Sequence, residues 1–242
     1  MKSSQTSPFE GPFSGFPEEG LRFLEELADN NDRDWFQPRK MIYEEKVLEP
    51  AQVFVSALGN RLKTISPDIR YDTQTNGRGS IMRIYRDIRF RKDKRPYEPS
   101  IRIVFWEGSG KRTESPGFYL CVEPGSAMLY AGLHGFTKGV LTAYRDAVVD
   151  DRLGDELTSV LRALRGDGVY EIGGEHYKRV PAGYDPAHER ADLLRYNELW
   201  VKAPVLDATE ALKPGFVEIC FEHFNNMAPL QQWLVKVDRM AT

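Results

Sequence analysis

The stretch "GFYLCVEPGSAMLYAGLHGF", residues 117–136, decides the fold class. It alternates in the period of two expected of a β-strand on both sides of "EPGS", and Pro124 and Gly125 fall at the central positions that a type II turn prefers. Two strands joined this tightly can pair only antiparallel, because a parallel pair needs a crossover of a dozen or more residues. The predicted unit is therefore a hairpin, with residues 117–123 as one arm and 127–136 as the other.

Working outward, "SIRIVFWEG" (100–108) reads as a further strand, reached through the polar, Gly-rich "EGSGKRTESPG", which predicts a mobile surface loop. "SIMRIYRDIRF" (80–90) reads as a fourth. Helical periodicity flanks this block. "FPEEGLRFLEELADNN" starts with Pro17 in its first turn and ends at Asn30-Asn31, and a second long segment over 32–65 is interrupted at Pro50. Downstream, "TKGVLTAYRDAVVDD", with Thr137 as cap, and "DRLGDELTSVLRALRGDG" are amphipathic helices. "YEIGGEHYKRVP" reads as a small hairpin about Gly173-Gly174, "DPAHERADLLRYN" as a capped helix, and "ELWVKAPVL" as an edge strand because Pro204 cannot donate. Two helices follow, "PGFVEICFEHFNN" and "PLQQWLVKVDRM". The pattern predicts an α+β fold with an antiparallel sheet of about four to six strands in mid-chain. N-terminal and C-terminal helices pack mainly on one face and leave the other to solvent or a ligand. Residues 1–15 read as a disordered or loosely docked tail and 16–242 as one domain.

Composition narrows the function classes. At 242 residues, 41% hydrophobic and 29% charged, the chain can bury a core without staples. A formal net charge of −3 argues against a whole-protein preference for nucleic acid or anionic membrane, so any affinity for anions has to be local. Cys121 and Cys220 read as small buried hydrophobes. No apolar run reaches the length of a membrane span and the N-terminus lacks a signal-peptide pattern, which together predict a soluble cytoplasmic protein without membrane partners.

The local anion affinity has one obvious seat. Between Arg78 and Arg102 stand nine Lys or Arg residues against Asp87, Asp93 and Glu98. Arginine dominates, and its planar fork matches carboxylate or phosphate oxygens two at a time. Strand alternation would put Met82, Ile84, Ile88 and Phe90 on one face and Arg83, Tyr85, Asp87 and Arg89 on the other. Arg86 then lands among apolar residues, where an unpaired guanidinium would cost several kcal/mol, so it demands an anionic partner. The candidate ligand-binding set is Arg83, Arg86, Asp87, Arg89, Lys92 and Lys94, with Tyr97 as a hydrogen-bonding wall. Asp87, flanked by Arg86 and Arg89, suits orienting an arginine better than donating protons. The competing reading of the same residues is a solvated strand and turn with exposed ion pairs of little energetic weight.

Arg83, Arg86, Asp87, Arg89, Phe90, Lys92, Asp93, Lys94, Pro96 and Tyr97 match an R-x-x-R-D-x-R-F-x-K-D-K-x-P-Y core. Through it the chain resembles a family of conserved uncharacterised bacterial and fungal proteins, domain of unknown function family 2461. "NNDRDWF" (30–36), "PGFYL", "YAGLHGF" and "PLQQWL" resemble further elements of that family, and His134-Gly135 stand where it leads one to expect Trp and another apolar residue. The resemblance implies no reaction.

No catalytic residue is singled out. His134, His176, His188 and His223 are scattered without ligand spacing, so neither a metal nor a cofactor is expected, and no P-loop or nucleophile elbow occurs. The expected function is binding of, or action on, a small phosphate- or carboxylate-bearing ligand at the Arg-rich strand and turn. The alternatives are a nucleic-acid-binding module that adds nearby aromatics to the same strip, or an interaction protein docking an acidic partner.

Overall fold

The computed structural model describes residues 11–108, 110–166 and 168–241. The 117–136 hairpin forms as predicted. Strands β2 (Gly117–Glu123) and β3 (Ser126–Leu133) pair antiparallel with Glu123 opposite Ser126, and Gly125 takes the positive φ of +84° that the turn requires. Strand β1 (Ile101–Trp106) adds to β2. On the far side of β3 lie β5 (Tyr196–Lys202) and then β4 (Glu171–Glu175), giving the antiparallel order β1-β2-β3-β5-β4. The two-residue β6 (Leu206–Asp207) pairs with the start of β3.

Alternation divides this sheet cleanly. Ile103, Phe105, Phe118, Leu120, Val122, Leu129, Ala131, Leu199 and Val201 point to one side and are buried. That side is covered by α7 (Phe216–Met240), which packs on β2, β3 and β5, and by α4 (Glu49–Leu62) at β1. The Phe118 and Phe224 rings meet at 5.0 Å, a contact worth about 0.5–1.5 kcal/mol beyond its buried area. Helices α5 (Lys138–Val149) and α6 (Asp151–Arg165) pack on α7 in turn. Thr137 and Asp150 cap them, accepting from the Val140 and Leu153 amides, and the Trp233 indole donates to the Leu153 carbonyl at 2.9 Å. The architecture is thus α+β, with a mid-chain antiparallel sheet flanked by N-terminal and C-terminal helices.

At the N-terminus, α1 (Glu18–Asp29) begins beside Pro17. The segment after it is broken: α2 (Arg33–Phe36), a 3-10 turn, α3 (Lys40–Tyr43) and a π turn (Glu44–Leu48) lead into α4, whose first turn contains Pro50. Pro50 follows directly on the π turn, where the regular i→i−4 bonding is already interrupted and a residue without an N–H is accommodated. Residues 1–10 of the expected tail lie outside the described residues. Phe13 is buried, its ring 5.2 Å from Phe16 and 5.1 Å from Phe54.

Five local expectations are corrected. Residues 80–90 do not form a strand: only Ile81 and Tyr85 make isolated bridges, to Ile103 and Tyr97. The 170–181 stretch holds one bulged strand, β4, rather than a hairpin, and β5 is an interior strand because Pro204 falls in the gap before β6. Residues 185–195 form turns and a short 3-10 segment instead of an α-helix. The two C-terminal helices are one, with Pro229 inside; this proline faces solvent, where the carbonyl it leaves unpaired can bind water. No helix among the described residues is long and apolar enough to cross a membrane.

Candidate functional site

The Arg-rich segment folds mostly on itself. Arg86, with its side chain 13% exposed, donates to Asp93 at 2.8 Å and has Glu98 3.8 Å from Nε. Arg95 shares Asp93, and Arg89 chelates Asp87 through Nε and Nη2 at 3.0 and 2.7 Å. These bonds hold the Asp93 carboxyl well below the usual carboxylate range and bring Asp87 down to about 2, chiefly through the Arg95 and Arg89 hydrogen bonds. The Lys94 ammonium donates to the Ile88 carbonyl at 2.9 Å, closing the turn from within.

Tyr97, expected as a wall of the ligand site, is instead a core residue. It is fully buried and stacked on Phe36 at 4.2 Å, and its backbone N–H and C=O are both met by the Asn31 amide at 2.9 and 3.0 Å. The "NNDRDWF" element and the basic motif are therefore two halves of one packing contact. Phe90 is 94% exposed at the turn, against its expected place on a buried strand face. Of the predicted set, Arg83, Lys92 and Lys94 make no ion pair among the described residues, and none of the seven lines the cleft that Met82 enters from this segment.

That cleft, about 640 Å³, lies on the sheet face that the helices leave open. Every second residue of the strands contributes: Val104 from β1, Gly117, Tyr119 and Cys121 from β2, Met128, Tyr130 and Gly132 from β3, Trp200 and Lys202 from β5, Glu171 from β4. Met82 leads in from the basic segment, and Arg112, Thr113 and Ser115 come from the loop between β1 and β2. This loop, predicted as a mobile surface connection, folds back over the sheet. Its Lys111 carbonyl accepts from the Glu114 amide, and its end is tied to β1 by Glu107 N–H donating to Pro116 at 2.9 Å.

The cleft is aromatic with a cationic side. Tyr119 and Tyr130 are cross-strand partners with rings 6.1 Å apart, and Tyr130 meets Trp200 edge-on at 5.7 Å. One carboxylate orients two rings: Glu198 accepts from the Trp200 indole at 3.1 Å and bonds His134 Nδ1 at 3.0 Å, while His134 stacks on Trp200. Lys202 has Glu171 at 3.6 Å. Arg112 has no such answer. It is half-buried, its Nη1 is closed off from solvent without a hydrogen-bond partner, and it makes no ion pair among the described residues. Burial lowers its pKa, and the nearby Arg83 guanidinium lowers it further. The Ser115 hydroxyl of the same loop is buried and also unpartnered.

Burial pushes up the Cys121 thiol and the Tyr119 hydroxyl, so neither is activated as a nucleophile. Among the described residues no three His, Cys, Asp or Glu side chains cluster as metal ligands would. Sequence reasoning missed Arg112, Trp200 and Lys202. The alternation of β2 and β3 held a signal for the cleft's aromatic floor, whereas Arg112 sits in a loop without periodicity.

A family model described as conserved hypothetical protein (DUF2461) matches residues 19–233, a span that includes the basic segment, the hairpin and every lining residue of the cleft. No curated protein matches the chain.

Proposed function

We infer, for a chain that belongs to the DUF2461 family of conserved hypothetical proteins, that the open face of the sheet binds a small anionic molecule, with Arg112 as the primary contact. The observation that carries this reading is the half-buried Arg112 guanidinium, whose Nη1 is closed off without a hydrogen-bond partner and which makes no ion pair among the described residues. Partial burial disfavours this charge while one of its nitrogens goes unpartnered, and a second cation, Arg83, adds to the cost. A phosphate or carboxylate group would relieve both at once.

The ligand thereby moves from the basic turn, where it was first expected, to the cleft beside it. Arg86, Arg89 and Arg95 already hold protein carboxylates, so a polyanion laid along the strip would have to displace them. The two buried, unpaired thiols favour a reducing compartment, and we place the protein in the cytoplasm; cell fractionation checks this.

Calorimetric titration of the purified protein with inorganic phosphate and with benzoate tests the site. We expect saturable binding of at least one of them at low salt, weakened ten-fold or more by Arg112→Gln and unaffected by Arg89→Gln. Failure of the unmodified protein to bind either probe, or equal binding by Arg112→Gln, would overturn the reading.

A further inference from the structure

We propose that the anion held at Arg112 carries a planar aromatic ring, seated on the bare backbone of Gly117 and Gly132 against Trp200. This rests on the anion reading of the cleft and names the class of molecule that fits it.

The floor of the cleft is a cross-strand row. Gly117 faces Gly132, Gly132 faces Trp200, and Trp200 faces Gly173. Neither floor glycine can be exchanged for a larger residue. A Cβ on Gly117 would sit 2.0 Å from the Phe105 carbonyl oxygen, and one on Gly132, whose φ is +137°, would sit 2.3 Å from that of Leu199. Beside this side-chain-free strip stand Tyr119 and Tyr130, one cross-strand pair further along the same two strands. Adjacent strands lie about 4.8 Å apart, so the floor from Gly117 to the base of Trp200 spans about 10 Å, room for one or two fused rings.

The wall is held before any ligand arrives. Trp200 lies over Gly173 so closely that a Cβ there would fall 2.1 Å from the indole. Glu198 accepts from the indole N–H, Tyr130 packs on the ring edge, and His134 stacks at 5.9 Å with 19° between planes. Rings held in place this way lose little freedom on binding, the condition under which stacking contributes most to affinity. The cation without an ion pair among the described residues, Arg112, stands on the loop that leads into Gly117, whereas Lys202 on the Trp200 side has Glu171. A flat floor, a fixed ring wall and a cation at one end are complementary to an aromatic acid or a ring-bearing phosphate. A puckered aliphatic ring of the same charge loses the stacking contact although it is the more hydrophobic of the two.

The test compares benzoate, 2-naphthoate and cyclohexanecarboxylate by calorimetry. The unmodified protein should prefer benzoate to cyclohexanecarboxylate by about three- to ten-fold, the range that an aromatic pair of ordinary strength supplies, and should bind 2-naphthoate more tightly still. Trp200→Leu should bring the benzoate preference to near unity. Should that variant not fold, Tyr130→Leu gives the same ratio readout. Equal affinity of the unmodified protein for benzoate and cyclohexanecarboxylate overturns the ring proposal and leaves the anion reading standing. Absence of binding by all three acids and by phosphate overturns both. Sedimentation showing a dimer that Trp200→Leu dissociates would assign this face to a second copy of the chain and overturn the proposal.

Discussion

Arg86 donates to Asp93 across 2.8 Å, so the arginine that the alternation pattern isolates is answered by a carboxylate seven residues further along its own segment. Glu98 stands on its other side and also faces Arg102, both at 3.8 Å. The guanidinium therefore cross-links the turn to the strand entry instead of waiting for a ligand.

Removing that cross-link leaves Asp93 with Arg95 alone and returns Glu98 to a single partner. Arg86→Met is expected to lower the melting temperature by about 5 °C, the scale of one charged hydrogen bond lost from a domain this size. Arg89→Gln, which breaks only an exposed pair, is expected to shift it by less than about 2 °C. Thermal melts followed by circular dichroism compare the two.

The same turn should respond to acid. The folded-state pKa values of Asp87 and Asp93 lie below their ordinary value of 3.8, Asp87 at about 2. A depressed carboxylate contributes stability that is complete above its unfolded pKa and lost as pH falls through the folded one. Amide exchange in residues 86–95 should thus be flat from neutral pH to about 5, once the intrinsic exchange rate is divided out, and should accelerate below about 4. Because both carboxylates are exposed, added salt should blunt the effect; a turn that loosened on raising the pH instead would contradict this sign.

Tyr97 and Phe90 lie seven positions apart in one motif and should behave as opposites. Tyr97→Ala empties a fully buried site stacked on Phe36 and is expected to cost about 3–5 kcal/mol. Phe90→Ser changes an exposed ring and should stay within about 0.5 kcal/mol of the parent. Urea denaturation measures both.

Gly132→Ala sets a side chain against the Leu199 carbonyl at a positive φ, and we expect a loss of more than about 1 kcal/mol. Gly125→Ala, at a turn with open space around it, carries only the φ penalty and should cost less. Paired denaturation curves test the order.

Burial raises both thiols, Cys220 most strongly. A disulfide-exchange reagent at pH 8 should label neither cysteine in the native protein at an appreciable rate, and both once it is unfolded. Rapid native labelling of Cys121 would show that the cleft opens further than the structure indicates.

Local chemistry was legible along the chain. The Pro-Gly pair of residues 124–125, the Thr137 cap and the two-residue period of β1 to β3 read correctly because each depends on its own neighbours. Elsewhere tertiary context overrode the local signal. "SIMRIYRDIRF" alternates like a strand, and Ile84 is indeed buried while Tyr85 is exposed. Yet its backbone finds only isolated bridges, because pairing to Tyr97 and to β1 draws it in different directions. The edge position read from Pro204 failed for a related reason: the proline lies just past the paired residues, so β5 was free to take an interior place.

The candidate site divides along the same line. By itself the sequence determined the fold class, the family likeness and the density of arginine near residue 90, since these follow from residue order and type. Which arginine lacks a partner was decided only by the tertiary structure. Asp93 and Glu98 reach Arg86, Asp87 reaches Arg89, and among the described residues no carboxylate pairs with Arg112, which a loop carries onto the open face of the sheet. Ion pairing depends on distances of a few ångströms between groups that the chain brings together only on folding, and sequence spacing does not encode those distances.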